Sequence, residues 1–274
     1  MDKNVTVIRP SRGWRGINLD ELIHYKDLLW FLTIRGIKAK YAQSVLGISW
    51  AIIQPLFSTL VFTVIFGSLA KIDSNGVPYF LFSFAALVPW TFFSNTLTES
   101  ANSLVANASM ISKVYFPRLV LPLSSVLSKG LDFLVSFALL LGFIIAYRIV
   151  PSWEVFFLPW IILVLLMTSL GIGMILSAMA VQYRDVKHGM TFAVQLLMYA
   201  APVVYPTTNV PLSWQTWYAL NPMVGVIESF RSVFLHTIPF PYQWMGLGTL
   251  TASIIFIFGL FYFRRMERVF ADVA

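Results

Sequence analysis

The chain has 274 residues, of which 58% are hydrophobic and 11% charged, with no cysteine and a formal net charge of +7. Its mean hydropathy is +0.77, and soluble domains carry about 25% charged residues, so the composition excludes an ordinary soluble domain. The absence of cysteine excludes disulfides, thiolate metal sites and cysteine nucleophiles. The apolar runs are long and continuous rather than alternating with period two, so they favour membrane-spanning α-helices over a closed barrel.

Residues 1–46 predict a cytoplasmic tail followed by an amphipathic helix. Residues 1–19 are polar, without the apolar core and small-residue cleavage site of a signal peptide. Between positions 19 and 41, apolar residues recur every three or four positions among charged ones. This segment is too charged to cross a bilayer, so we expect it to lie in the inner membrane interface.

Six hydrophobic runs predict an all-α integral membrane domain over residues 47–263, followed by a cytoplasmic tail over 264–274. The fifth run is marginal, because it has about 15 residues and a span needs about 20. No repeat or change of composition divides the chain, so residues 1–274 form one domain. The predicted spans are 47–69, 79–97, 119–146, 155–181, 190–204 and 245–263.

Residues 206–242 predict a re-entrant hairpin on the outer face, between spans five and six. Two short helical stretches, 212–220 and 222–235, are apolar but too short to span. Such a hairpin is tolerated only where protein or water covers its backbone. Glu228 and Arg231 are three residues apart in this segment, so they lie on one helical face and we expect them to pair.

The distribution of lysine and arginine predicts the orientation. The segments on the N-terminal side of the membrane hold most of these residues, whereas the opposite segments hold Lys71, Arg148 and Arg231. By the positive-inside rule, the chain is a multi-pass protein of the cytoplasmic (inner) membrane with both termini in the cytoplasm. The positive charge is therefore explained by topology, and we expect no nucleic-acid partner.

Lys129 and Asp132 are charged residues inside the third span. They are three residues apart on one helical face, so they can pair with each other. An intramembrane pair serves either as a polar step in a translocation pathway or as a structural ion pair against another helix. We favour the structural interpretation, because a single pair makes a poor proton relay.

Aromatic residues form 16% of the chain. Most are explained by interfacial belts and lipid-facing phenylalanines. Some are candidates for lining a pathway, since a ring offers sugars an apolar face without strict hydrogen-bond register. The candidates for a channel or gate are Trp90, Phe93, Tyr199 and Tyr205, together with Glu228 and Arg231.

A basic, proline-interrupted segment, SKVYFPRLVLPLS (112–124), lies between the second and third spans. It is too polar to face lipid and too apolar for a free loop, so we expect another chain to dock there. The chain contains no G-x-x-x-x-G-K-S/T phosphate loop, so the energy source is expected in that partner. The predicted docking residues are Arg35, Lys38, Ser112, Lys113, Tyr115, Phe116, Pro117, Arg118, Arg184 and Asp185.

Several motifs resemble those of the membrane subunits of bacterial ABC-2 type polysaccharide exporters, which move O-antigen and teichoic acid chains. The resemblance runs from about Asp27 to the C-terminus. The motifs are RGIKAKYAQSVLGISWAIIQPL (35–56), LVPWTFFSNTL (87–97), FPRLVLPLS (116–124), YRDVKHG (183–189), APVVYP (201–206), NPM (221–223) and ERVFAD (267–272).

The resemblance implies six spans, an interface helix, outer re-entrant helices and a coupling helix at about 107–117. It also implies a homodimer that forms the channel, with two copies of a separate nucleotide-binding ATPase that hold ATP and magnesium. This chain would then catalyse nothing and bind no cofactor or metal. The expected cargo is a lipid-linked, O-antigen-like polysaccharide, with teichoic acid or capsule as the alternative.

Two other classes of membrane protein fit less well. An integral-membrane glycosyltransferase needs clustered acidic metal ligands, whereas Asp73, Glu99, Glu154 and Asp185 are isolated. An ion-coupled secondary transporter predicts inverted repeats and ionisable groups near the bilayer midplane, and only Lys129 and Asp132 qualify.

Overall fold

The computed structural model describes residues 19–42, 44–183 and 185–267, and every regular element in these ranges is helical. The all-α prediction is confirmed. Short 3-10 turns at Gly47–Ser49, Trp153–Phe157 and Thr207–Asn209 accompany the longer helices. The α-helices are α1 (Leu19–His24), α2 (Lys26–Tyr41), α3 (Trp50–Phe62), α4 (Tyr79–Ala106), α5 (Ala108–Ile111), α6 (Val120–Ala146), α7 (Leu158–Gln182), α8 (Asp185–Tyr199), α9 (Leu212–Tyr218), α10 (Pro222–Leu235) and α11 (Tyr242–Glu267).

Within the described ranges, five helices are long and apolar enough to cross a membrane. They correspond to predicted spans one to four and six: Gly47–Leu69, Tyr79–Ala106, Val120–Ala146, Trp153–Gln182 and Tyr242–Glu267. The first continues from α3 through a π-helical stretch, Thr63–Leu69. The predicted fifth span forms α8, which has 15 residues and ends at Tyr199.

Helix α4 occupies the centre of the molecule, where most of its side chains are buried, and it packs against α3, α6, α7, α8 and α10. It runs antiparallel to α6. The Phe84 and Phe143 rings meet at 5.3 Å near one end of the pair, and the Phe92 and Phe133 rings meet at 5.4 Å further along. Interlocking aromatic rings thus fix the register of these two helices.

Helices α7 and α11 run parallel and approach closely through small residues. Trp160 donates a hydrogen bond to Thr249 near the start of both helices, and Gly171 meets Gly259 further along. A Cβ on Gly259 would collide with the carbonyl oxygen of Gly171, and a Cβ on Gly171 would lie 2.8 Å from the Cα of Phe256. Glycines at such a crossing let two backbones touch.

Helix α2 packs along the first half of α6. A Cβ on Gly36 would lie 3.1 Å from Ser128, and Lys40, one turn later, reaches Asp132, one turn further along α6. Leu32 and Thr33 are buried, whereas Trp30 and Phe31 are exposed. The position of α2 in the membrane interface stays a prediction.

Candidate functional site

Two polar clusters interrupt the apolar helices, one at each end of the molecule, and we name them inner and outer after the predicted orientation. The inner cluster is built around the predicted docking segment between α4 and α6. Ser112, Lys113 and Tyr115 are exposed, whereas Phe116 is buried and Arg118 is half-buried. Phe116 packs in a hydrophobic cluster with residues of α2, α4, α6, α7 and α11. The exposed side chains therefore belong to a segment whose position is fixed by the packing of Phe116.

Residues near the first and the last described positions form hydrogen bonds with this segment. The Tyr115 hydroxyl donates to Glu21 of α1 at 3.3 Å, and the Tyr25 hydroxyl donates to the Tyr115 carbonyl at 3.4 Å. Partial burial raises the pKa of Tyr115, and the Glu21 carboxylate raises it further, so the hydroxyl stays a donor at neutral pH. Arg118 donates its backbone N–H to the Glu267 carboxylate at 3.3 Å, and its guanidinium donates to the Glu267 carbonyl.

Four other predicted docking residues lie on α2, in the segment itself and at the start of α8. Arg35 donates to the Asn107 side chain at the end of α4 and is exposed, as is Lys38 on the next turn of α2. Pro117 is half-buried, and Asp185 is exposed at the start of α8. The prediction for Arg184 lies outside the described residues.

The predicted pair of Lys129 with Asp132 is wrong, because each residue bonds to a different helix. Lys129 Nζ lies 3.1 Å from the Glu99 carboxylate of α4. Asp132 lies 2.6 Å from Lys40 Nζ of α2 and also accepts a hydrogen bond from Tyr41. Helices α2 and α4 flank α6 on two sides, so each offers an opposite charge. Lys40 and Glu99 were visible in the sequence, but nothing there indicated which spans are neighbours.

The outer cluster centres on Glu228 and Arg231 of α10, whose predicted pairing is confirmed at 3.2 Å. The Arg231 side chain is 0% exposed and that of Glu228 is 1% exposed. Arg231 Nε donates to the Phe82 carbonyl of α4 at 3.2 Å, and its guanidinium lies 3.5 Å from the Phe82 ring centroid. Buried charges are stable only when paired and hydrogen-bonded, and this pair satisfies both conditions.

The same pair reaches the chain that follows α8. Arg231 Nη2 donates to the Val203 carbonyl at 2.8 Å, and Nη1 donates to the Tyr205 carbonyl at 3.4 Å. The Glu228 carboxylate accepts from the backbone N–H and the hydroxyl of Thr207, at 3.0 and 2.7 Å. These partners were missed at the sequence level, because main-chain acceptors leave no signature in residue type.

The aromatic candidates fall into two groups. Trp90 and Phe93 are each 4% exposed and pack with their ring centroids 5.6 Å apart, inside the core of one chain. Tyr199 is exposed. The Tyr205 hydroxyl donates to the Tyr199 carbonyl at 2.8 Å and lies 2.9 Å from the hydroxyl of Tyr218. A tyrosine cluster thus forms at the end of α8.

Comparison with known proteins agrees with this architecture. The profile of the family described as ABC-2 type transporter matches residues 27–235. The O-antigen export system permease protein RfbA of Klebsiella pneumoniae is 30% identical over 90% of this chain and 95% of its own length. The protein of the same name from Myxococcus xanthus is 31% identical over 86% of this chain and 91% of its length.

The polysialic acid transport protein KpsM of Escherichia coli is 24% identical over 74% of this chain and 80% of its length. The profile match spans α2 to α10, and it includes residues 112–118 and the Glu228–Arg231 pair. The profile match covers more than half of the chain and carries the assignment. With its several apolar helices, this multi-pass membrane protein belongs to the ABC-2 type transporter family.

Proposed function

We propose that the chain is the non-catalytic permease subunit of an ATP-driven exporter of lipid-linked, O-antigen-like polysaccharide. The observation that carries the proposal is the near full-length similarity to permeases named for O-antigen export. The more distant similarity to a polysialic acid transport protein keeps capsule export as the second candidate. Teichoic acid export is a third, since its permeases carry motifs of the same kind.

Contacts at the inner cluster support a sixth crossing. Tyr115 contacts Glu21 of α1, so α1 and the α4–α6 connection share one end of the molecule. Arg118 contacts Glu267, so α11 ends there too. Because α7 and α11 run in parallel toward this end, the chain has to return to the opposite end between residues 183 and 241. Helix α8 and the residues after it are the proposed fifth of six crossings, and α9 with α10 form the outer re-entrant hairpin.

This arrangement puts both termini in the cytoplasm of the proposed exporter, together with the basic residues of the inner cluster. The partner there would be a nucleotide-binding ATPase, in two copies, that holds ATP and magnesium. Ser112, Lys113 and Tyr115 present an exposed, basic surface, and Arg35 joins α2 to the end of α4. A push on this surface would therefore reach α1, α2, α4, α6 and α11 together.

A passage for a glycan is expected between two copies of the chain. In one copy the central helix α4 is buried, and Trp90 and Phe93 pack into the core. Helices α3 and α8 expose large apolar side chains, including Phe57 and Phe192, which suit either lipid or a second copy. Tyr199 and Tyr205 are the remaining candidates to stack on sugars at the outer end.

Reconstitution tests the proposal. Vesicles that contain this chain and its co-purified ATPase should move lipid-linked polysaccharide across the bilayer when ATP is present, and vesicles with the chain alone should be inert. The ATPase rate should rise with the cognate glycan more than with capsule or teichoic acid precursors. Export by the lone chain, driven by an ion gradient, would contradict the assignment.

A further inference from the structure

Helix α8 is too short to complete the crossing assigned to it. Its 15 residues cover about 22 Å at 1.5 Å per residue, whereas the hydrocarbon core is about 30 Å thick. Residues 200–207, which we call the broken segment, continue from Tyr199 without an α-helix. Ala201 and Val203 are 0% exposed and Thr207 is 1% exposed. The broken segment is therefore covered by protein.

A buried, non-helical backbone has lost the helical hydrogen bonds, and unsatisfied groups at membrane depth cost several kcal/mol each. Donors from α4 and α10 replace them. The Val203 and Tyr205 carbonyls accept from Arg231. The Val204 carbonyl accepts from the Tyr79 hydroxyl at 2.6 Å.

Both ends of the broken segment form hydrogen bonds with α10 or its N-cap. The Ala200 carbonyl accepts from the Asn221 amide, just before α10, at 3.2 Å. At the other end, the Thr207 N–H donates to Glu228. Four of these five hydrogen bonds thus come from α10 or its N-cap, and one comes from α4.

Only arginine can make this set of contacts from one position. Its rigid fork carries five N–H donors, whereas lysine carries one compact ammonium. Arg231 uses the fork on the carbonyls of Phe82, Val203 and Tyr205 and on the Glu228 carboxylate. It therefore ties α4, α10 and the broken segment together.

We propose that Arg231, with Glu228, is a positioning residue that holds the broken segment in place, so that a short helix and an irregular chain together complete the fifth crossing. In doing so it fixes Tyr199 and Tyr205 at the outer end of α8, where they would meet the exported glycan. The role at the glycan rests on the proposed function, whereas the positioning of the segment does not.

The test uses the absence of cysteine in the native chain. A single cysteine, Val203→Cys, is placed in the buried broken segment, and its reaction with a membrane-impermeant maleimide is followed from the outer side of right-side-out vesicles. The native background should protect it. Arg231→Lys keeps the charge but loses the fork, so labelling of Val203→Cys should become at least about tenfold faster through local opening.

Val164→Cys near the start of α7 is the matched control, because Val164 is also 0% exposed and lies toward the same end of the molecule, but it is not one of the hydrogen-bond partners of Arg231. It should stay protected in both backgrounds. Thr208→Cys, at an exposed position just after the segment, should label in both and report access from the outer side. Glu228→Gln should accelerate Val203→Cys labelling less than Arg231→Lys, because an amide oxygen still accepts from Thr207.

The proposal fails if Val203→Cys stays equally protected after Arg231→Lys, or if Val164→Cys becomes equally reactive, which would make Arg231 a residue of general stability. Export is measured on the same variants, where Arg231→Lys should reduce export without loss of ATPase binding. If the native chain exports no polysaccharide, the proposed function fails while the labelling result still decides the role of Arg231.

Discussion

The contact between α2 and α6 and the outer cluster each hold an ion pair, but in opposite surroundings. Between α2 and α6, the side chains of Lys40 and Asp132 are 31% and 16% exposed. At the outer cluster, Glu228 and Arg231 are almost completely buried and share their partners with the main chain. The first pair is partly exposed, whereas the second is enclosed by protein.

The difference separates two mechanical roles. A partly exposed ion pair contributes about 0–1 kcal/mol and breaks easily. Such a pair suits contacts between elements that the proposed ATPase would move. A buried pair is costly to break, because the remaining charge is left without a partner. The comparison therefore predicts a soft contact between α2 and α6 and a stiff outer end, and the following substitutions are arranged from the largest expected effect to the smallest.

Removing one partner of the outer pair should have the largest effect. Arg231→Met leaves the Glu228 carboxylate buried and unpaired, so the free energy of unfolding should fall by about 3–5 kcal/mol. Thermal unfolding of the detergent-solubilised protein measures the loss. The double variant Glu228→Gln/Arg231→Met should recover part of it, since no charge is left behind.

Arg148→Met, at an exposed arginine, serves as the control and should change the stability by about 0.5 kcal/mol or less. A double variant that is no more stable than Arg231→Met would argue against a coupled pair and would remove the basis for a stiff outer end.

Gly259→Ala tests whether the close packing of α7 against α11, which involves no charge, also contributes to stability. The added methyl group would collide with the Gly171 carbonyl, so α7 and α11 have to separate. Overpacking of this kind costs about 1–3 kcal/mol, again measured by thermal unfolding. Gly142→Ala, where nothing lies within 4 Å of the new Cβ, should be neutral or slightly stabilising. Equal behaviour of the two variants would count against the glycine contact.

Asp132→Asn should have a small effect on stability, because the pair with Lys40 is partly exposed. We expect a loss of about 1 kcal/mol or less, and a smaller loss at high salt. Exchanging the charges, Lys40→Asp with Asp132→Lys, should restore only part of the loss, because a lysine at position 132 cannot accept the hydrogen bond from Tyr41. A loss as large as that of Arg231→Met would abolish the distinction between the two ion pairs.

Tyr115→Phe should have the smallest effect. It removes one exposed hydroxyl that donates to Glu21 at 3.3 Å, so the stability should change by about 0.5 kcal/mol or less. Cross-linking of a nearby Ser112→Cys to the ATPase should persist. The interpretation of the inner cluster would be wrong if the cross-link disappeared while the protein stayed folded.

The class of this protein was predictable from its sequence because the signals are local. Continuous apolar runs determine where helices of membrane length lie, and five predicted spans match such helices in the structure. The pairing of Glu228 with Arg231 was predictable for the same reason, since a spacing of three residues places both side chains on one helical face.

The same rule failed for Lys129 and Asp132, where it was applied to a helix with charged neighbours on two sides. The spacing of charged residues shows which partners are available within one helix. The arrangement of the helices in space decides which partner is nearer. That α2 and α4 flank α6 could not be derived from hydropathy, because all spans are similarly apolar. Only the tertiary structure places Lys40 at Asp132 and Glu99 at Lys129.

The buried part of the outer cluster shows the same division. The sequence by itself determined a marginal fifth hydrophobic run that ends at prolines, and a charged pair downstream of it. Only the tertiary structure decided that this pair binds carbonyl groups of residues 203 and 205. Main-chain carbonyls are identical at every position, so their exposure to a guanidinium depends on how distant helices pack and not on any residue that the sequence displays.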